Sequence, residues 1–199
     1  MGSFGTNMYV ASDETGAAWL IDPACSTPYE QQQLLKYLEA NHLQITSIVA
    51  THGHLDHLWG APWATRFFGL PVLMHEADIQ MAQHMSMQYN LFGINATPEP
   101  FPIEALSPSL SEREGERLPF TVIHTPGHTQ GGVCLYHPQE QVLFSGDTLF
   151  CCGYGRTDLP GGNTAQLIRS LEQLFTLPPA TRVYPGHGES TTIGAEARY

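Results

Sequence analysis

Three histidines and an aspartate lie close together in the segment 51–57, which reads THGHLDH. Imidazole nitrogens and carboxylate oxygens are ligands that zinc and iron take in proteins. His52 and His54 are two residues apart, so in an extended segment both side chains point to the same side. Asp56 and His57 follow where the chain turns, which allows them to serve a second ion. The spacing therefore predicts a metal-binding segment rather than a polar loop with chance histidines.

Three later segments each end a predicted strand with glycine or proline and then present one possible ligand. They are TPGHT (125–129) with His128, SGDT (145–148) with Asp147, and YPGHG (184–188) with His187. Binding and catalytic residues are often carried by loops at strand ends, because a rigid scaffold then positions them. Each segment alone is a weak signal. Together with the first segment they form a set of seven candidate ligands, which favours a site for two ions.

The elements that must position these residues alternate between short apolar strands and helical patterns. A capping box, Thr27-Pro28-Tyr29-Glu30, predicts a helix that runs to about Asn41. The other predicted helices are Pro62–Phe68 and Asn163–Phe175, and the predicted strands are Ala17–Asp22, Thr46–Ala50, Pro71–Met74, Phe120–His124, Val133–Tyr136, Val142–Ser145 and Thr181–Tyr184. This alternation indicates an α/β protein with sheets covered by helices. Residues 75–117 differ, with two helical pieces and then a proline-rich stretch, and are predicted to be an insertion near the site.

Composition limits the partners of the chain. Eight basic residues stand against 19 acidic ones, for a formal charge of −11. Nucleic-acid binding and attachment to anionic membranes both need a basic surface, so both are disfavoured. No 18-residue apolar run and no secretion signal are visible, and the four cysteines fit reduced thiols, so a cytoplasmic location is expected.

The ordered pattern of the seven ligands resembles the metallo-β-lactamase superfamily, and the resemblance extends from NMYV (7–10) to TIG (192–194). The segments GRTDLPGG (155–162) and PGHG (185–188) are similar to those of short, single-domain glyoxalase II-like (hydroxyacylglutathione hydrolase-like) proteins. The resemblance implies one domain over 1–199. It also implies an αββα sandwich, in which two mixed β-sheets are flanked by helices and the metals lie at one edge.

The resemblance also implies which residues hold each ion. The ligands of the first ion would be His52, His54 and His128, and those of the second would be Asp56, His57 and His187, with Asp147 bridging both. Zinc is the expected metal, with iron or manganese as alternatives. Asp56 is expected to be essential for turnover. Asp22 is expected to bond to a metal ligand and fix its orientation. Tyr154 or Arg156 is expected to contact the substrate.

The activity implied by such a centre is hydrolysis of a small acyl compound. Two ions share a water molecule and lower its pKa, and the resulting hydroxide attacks the acyl carbon. A thioester such as S-lactoylglutathione suits this chemistry, because a thiolate leaves without a strong general acid. The alternatives are a persulfide dioxygenase with one iron at the positions of His52, His128 and Asp147, a lactonase or β-lactam hydrolase, and a metal-binding protein without turnover.

Overall fold

The computed structural model describes residues 4–106 and 120–197 of the chain. It divides the chain into two compact units, Met1–Ala105 and Leu106–Tyr199. Each unit contains a five-stranded mixed sheet and helices, which confirms the predicted α/β class with two mixed sheets. The presence of one domain over 1–199 stays a prediction.

The first unit is built on a sheet of five strands in sequential order. The strands are β1 (Tyr9–Ser12), β2 (Ala17–Ile21), β3 (Gln44–Val49), β4 (Val72–Met74) and β5 (Ile103–Ala105). β1 pairs antiparallel with β2, and every later pair is parallel. Because β2, β3 and β4 run parallel, the chain leaves all three at the same edge of the sheet. Asp22 and the segment 51–57 are therefore brought to that edge by neighbouring strands.

Five helices lie beside this sheet in the described part of the first unit. They are α1 (Pro28–Ala40), α2 (Leu55–Leu58), α3 (Ala61–Phe68), α4 (Glu76–Gln83) and α5 (Met85–Leu91). The predicted capping box begins α1, since Thr27 accepts from the Glu30 amide and the Glu30 side chain reaches back to the Thr27 amide. Leu34 and Leu38 then face the core of the sheet. α3 ends at Gly69, whose φ of 70° is a backbone conformation that glycine adopts at little cost.

The second unit has a sheet with the order β12-β11-β8-β7-β6 and a separate two-stranded hairpin. Its strands are β6 (Thr121–His124), β7 (Val133–His137), β8 (Val142–Gly146), β9 (Leu149–Phe150), β10 (Gly153–Tyr154), β11 (Arg182–Pro185) and β12 (Thr191–Thr192). The parallel pairing of β8 with β11 places Gly146 beside Pro185. The segments that carry Asp147 and His187 therefore leave the sheet side by side. The unit also contains α6 (Thr164–Leu174) and α7 (Ile193–Glu196).

The structure differs from the sequence-based expectation mainly in short elements. The predicted strands and helices are present with ends within two residues, whereas β1, α2, β5, β9, β10, β12 and α7 were not predicted. β5 forms inside the proline-rich stretch directly after Pro102; it contains no proline, so each of its residues keeps a backbone amide for pairing at the edge of the sheet. The part of the predicted insertion at 107–117 lies outside the described residues.

Candidate metal centre

The segment 51–57 is fixed by side chains that come from α4 and α5. The Gly53 amide donates to Asp78 Oδ2 at 2.9 Å. Gln88 makes two bonds to the same segment: its Oε1 accepts from the Leu55 amide at 2.8 Å, and its Nε2 donates to the Gly53 carbonyl at 2.9 Å. Asp78 and Gln88 are both buried, so these bonds are shielded from competing water. The amide and the carbonyl of Gly53, the residue between His52 and His54, are thus both hydrogen-bonded to buried side chains.

The four candidate ligands of this segment converge. The ring centroids of His52 and His54 are 4.9 Å apart, and those of His52 and His57 are 4.1 Å apart. α2 is a single turn that begins directly after His54, and it brings Asp56 Oδ2 to 3.4 Å from His57 Nε2. Two ligands of one tetrahedral ion with bonds of 2.0–2.1 Å are separated by about 3.4 Å. The spacing of this pair is therefore that of two donors on a common ion.

Asp22 determines which imidazole nitrogens are available to a metal. Its carboxylate accepts from the Thr51 amide at 2.7 Å, from Thr51 Oγ1 at 2.8 Å and from His57 Nδ1 at 2.9 Å. Because the only hydroxyl proton of Thr51 goes to Asp22, Thr51 Oγ1 must accept from His52 Nδ1, 3.1 Å away. Both rings therefore carry their proton on Nδ1 and present the lone pair of Nε2. Outer partners of this kind orient metal-binding histidines and raise their basicity.

The second unit brings together His128, Asp147 and His187. Asp147 Oδ2 lies 3.5 Å from His128 Nε2 and 3.6 Å from His187 Nε2. One carboxylate oxygen is thus within common-ion distance of two imidazoles, so all three side chains can act as ligands of one metal centre. His128 Nδ1 lies 2.7 Å from the Arg156 carbonyl oxygen, which can only accept a proton, so His128 also presents Nε2 outward.

Two glycines allow the candidate ligands of the second unit, His128, Asp147 and His187, to come close together. Gly127, with φ of 140°, lies so close to the backbone of Leu167 on α6 that a side chain has no space. Gly155 packs against the same group of ligands: a Cβ there would overlap the Asp147 carbonyl oxygen and come within 3.1 Å of His128 Nδ1. The glycine turns seen in the sequence therefore permit close backbone approach as well as a change of direction.

The donor chemistry of both sets fits divalent metal ions. Within each unit the donors are imidazole nitrogens and carboxylate oxygens, the set that suits zinc, iron and manganese. Three of the rings have their tautomer fixed with Nε2 available, and a coordinating histidine must be in this neutral form. The residues present therefore fit the metals that the sequence predicts.

Tyr154 and Arg156, the two substrate candidates, lie on and just after β10. The Tyr154 side chain is 60% exposed and open to a ligand. The Arg156 guanidinium is paired with Asp158 through two bonds of 2.7 Å. This pairing lowers the pKa of the exposed Asp158 carboxyl to about 2. The Arg156 side chain is thus bonded to Asp158, while the Arg156 carbonyl oxygen orients His128.

Three residues of the site were not found from the sequence. Thr6 is fully buried and donates to Asp56 Oδ2 at 2.9 Å, and Asp78 and Gln88 hold the backbone of the ligand segment. Thr6 and Gln88 lie 50 and 35 residues from their partners Asp56 and Gly53, so no local motif links them. The only sequence signal was a polar side chain on the apolar side of a helix, as at Gln88.

Comparison with known proteins identifies the family. The family model described as the metallo-beta-lactamase superfamily matches residues 1–187, so the chain belongs to that superfamily. Hydroxyacylglutathione hydrolase GloC from Haemophilus influenzae is 33% identical over 204 residues, which cover 98% of this chain and 92% of that protein.

Two solved structures share the fold over the whole chain. The crystal structure of TTHA1623 in a di-iron-bound form has a TM-score of 0.86 and 36% identity, covering 100% of this chain and 95% of that one. The B3 metallo-beta-lactamase BLEG-1 has a TM-score of 0.85 and 33% identity, covering 100% and 94%. The fold is therefore the metallo-β-lactamase fold. None of the described helices has the length and apolar character needed to cross a bilayer.

Proposed function

We propose that this protein is a hydrolase that uses two divalent metal ions to cleave thioesters such as S-lactoylglutathione. The seven candidate ligands are assigned to the ions by their order along the sequence. His52, His54 and His128 would hold the first ion, Asp56, His57 and His187 would hold the second, and Asp147 would serve both. Zinc is the proposed metal, and iron is the principal alternative because a similar protein is known in a di-iron-bound form.

The observation that carries the two-ion proposal is the number of donors. The chain offers seven candidate ligands, five imidazoles and two carboxylates, whereas one tetrahedral ion takes four. Asp147 Oδ2 lies within 3.6 Å of both His128 Nε2 and His187 Nε2, as expected of a ligand that two ions would share. The substrate class rests on the similarity to hydroxyacylglutathione hydrolase GloC, which extends over nearly the whole chain.

The residues of the chain prepare the site for acyl transfer to water. When bound, the two ions supply a water molecule of lowered pKa and a Lewis acid for the acyl oxygen. Thr6 holds the Asp56 carboxylate in one orientation by donating to its Oδ2. Asp22 and Thr51 keep the proton of two imidazoles on Nδ1, so that Nε2 coordinates. No general acid is needed for the leaving group, because a thiolate departs without protonation.

The proposed function is tested with protein of measured metal content and S-lactoylglutathione as substrate. We expect two metal ions per chain and a kcat/KM above about 10⁴ M⁻¹s⁻¹, the usual range for a physiological substrate. Removal of the metal with a chelator should abolish the activity, and adding it back should restore it. The Asp56→Asn variant should lose turnover and keep its far-UV circular dichroism. Glu39→Gln, the same acid-to-amide change on the exposed side of α1, should behave like the parent.

The outcomes separate the proposed activity from its alternatives. Two ions per chain without thioester hydrolysis, but with hydrolysis of a β-lactam, would replace the substrate class. The similarity to the B3 metallo-beta-lactamase BLEG-1 favours that second candidate. One iron per chain with oxidation of a persulfide would overturn the hydrolase proposal, and metal binding without turnover of any of these compounds would do the same. A cytoplasmic location stays a prediction.

A further inference from the structure

Two adjacent cysteines form the turn of the β9–β10 hairpin, apart from the seven candidate ligands. Phe150 pairs with Gly153, so Cys151 and Cys152 are the two turn residues, and both are exposed. Cys152 has φ of 58°, a left-handed conformation that glycine adopts readily and cysteine does not. The two sulfur atoms lie 3.9 Å apart on the same side of the turn.

A buried carboxylate faces these thiols. Glu196, on α7, is only 6% exposed, and its Oε2 accepts from the Cys152 amide at 3.0 Å. Its Oε1 accepts from Thr191 Oγ1 at 2.6 Å. The carboxylate is thus fixed against the hairpin, and each of its oxygens retains a second lone pair. One atom each of Cys151, Cys152 and Glu196 lies within 4.8 Å of the other two.

The spacing of the sulfur atoms is that of two ligands on a common ion. Tetrahedral coordination with Zn–S bonds near 2.3 Å separates two sulfurs by about 3.8 Å. The observed separation of 3.9 Å therefore requires little movement of the turn. Two thiolates and one carboxylate leave the fourth tetrahedral position to solvent, because the turn is open on its outer side.

The charges around the hairpin attract a cation. The pKa of the Cys151 thiol is raised, chiefly by its hydrogen bond with Cys152. The negative charges of Glu196 and Glu189 also contribute to this rise. A divalent cation reverses this effect, since it compensates the negative charges that keep the thiols protonated. When the ion binds, it replaces the protons of the two thiols, and these protons pass to solvent.

We propose that Cys151, Cys152 and Glu196 form a separate binding site for a thiophilic divalent cation such as zinc or cadmium. The other two cysteines do not compete for such an ion. Burial raises the pKa of Cys25 to about 12 and that of Cys134 to about 11, and both lie inside the cores of their units. The site does not depend on the proposed hydrolase activity.

The site is tested by titrating Cd²⁺ into the reduced, metal-loaded protein and recording the ultraviolet charge-transfer absorption of cadmium–thiolate bonds. Histidine and carboxylate ligands do not give this absorption. Exchange of ions at the seven histidine and aspartate ligands therefore adds nothing to the measured signal. We expect saturation at one equivalent of thiolate-bound cadmium. The signal should be lost in the variant Cys151→Ser/Cys152→Ser, whose changes lie in an exposed turn.

A matched pair of variants tests the carboxylate. Glu196→Gln keeps the size and an acceptor oxygen but removes the charge. Since loss of even an outer partner of a metal ligand typically lowers affinity about tenfold or more, loss of this charged ligand should weaken cadmium binding at least as much. Glu189→Gln removes a neighbouring charge outside the cluster and should weaken it less than Glu196→Gln does. Circular dichroism and Tm identify the variants that keep the fold. The proposal is overturned if the reduced parent gives no signal, if the double serine variant keeps it, or if the two glutamine variants bind equally.

Discussion

Replacement of Gln88 by methionine tests whether α5 holds the ligand segment. Methionine has nearly the same length and fills the same volume, but it cannot bond to the Leu55 amide or the Gly53 carbonyl. Each lost hydrogen bond costs about 1 kcal/mol, and a buried backbone group left without its partner costs about 1–3 kcal/mol. Since the two terms overlap, we expect the free energy of unfolding to fall by about 2–4 kcal/mol.

The same change should weaken metal binding, because Gly53 lies between two candidate ligands. Loss of an outer support typically lowers metal affinity about 10- to 100-fold. Urea unfolding in the presence of a chelator measures the stability without the contribution of bound metal. Competition with a chromophoric chelator then measures the affinity. Gln83→Met, the same replacement at an exposed position of α4, is the matched control. A Gln88→Met variant that equals Gln83→Met in both measurements would refute the proposed role of α5.

Three further outcomes are expected. Gly155→Ala should lower both the thermal stability and the metal content, because the added Cβ has no space. Gly153→Ala is the control and should change neither by much, since nothing lies within 4 Å of the added atom. Calorimetry measures the stability of both variants, and elemental analysis measures their metal content. Asp22→Asn should lower metal affinity about 10- to 100-fold, because an amide no longer holds His57 in its coordinating form, and an unchanged affinity would contradict that role. Folded, metal-free protein at neutral pH should react with dithionitrobenzoate at the two exposed thiols, Cys151 and Cys152, because Cys25 and Cys134 are buried, and at four thiols only after denaturation.

The fold could be predicted from the sequence where periodic or capping signals were strong. The capping box before α1 and the apolar runs of β2 and β3 gave elements whose ends agree with the structure to within two residues. Short elements carry too few residues for a period to be visible, and α2 has only four. β5 was missed for another reason: it has three residues and follows Pro102 in a proline-rich stretch, although it contains no proline itself.

The candidate site was predictable to the extent that its residues are clustered in the sequence or follow a glycine turn. The segment 51–57 and the turns at His128, Asp147 and His187 are of this kind. Thr6 and Gln88 are not, because they reach the site only when distant elements pack together. A buried polar side chain is costly unless it is bonded, so such residues become recognisable as supports only in the folded chain.

The bonds from α4 and α5 to the ligand segment limit which residues of these helices can be varied in protein engineering. The exposed positions Met87 and Leu91 on α5 are open to randomisation, because their side chains project into solvent. Gln88 lies between them on the same helix and bonds to the backbone beside the candidate ligands. A library or a transplanted segment that varies all of α5 would therefore also remove the support of the candidate ligands. Variation limited to Met87 and Leu91 leaves that support in place.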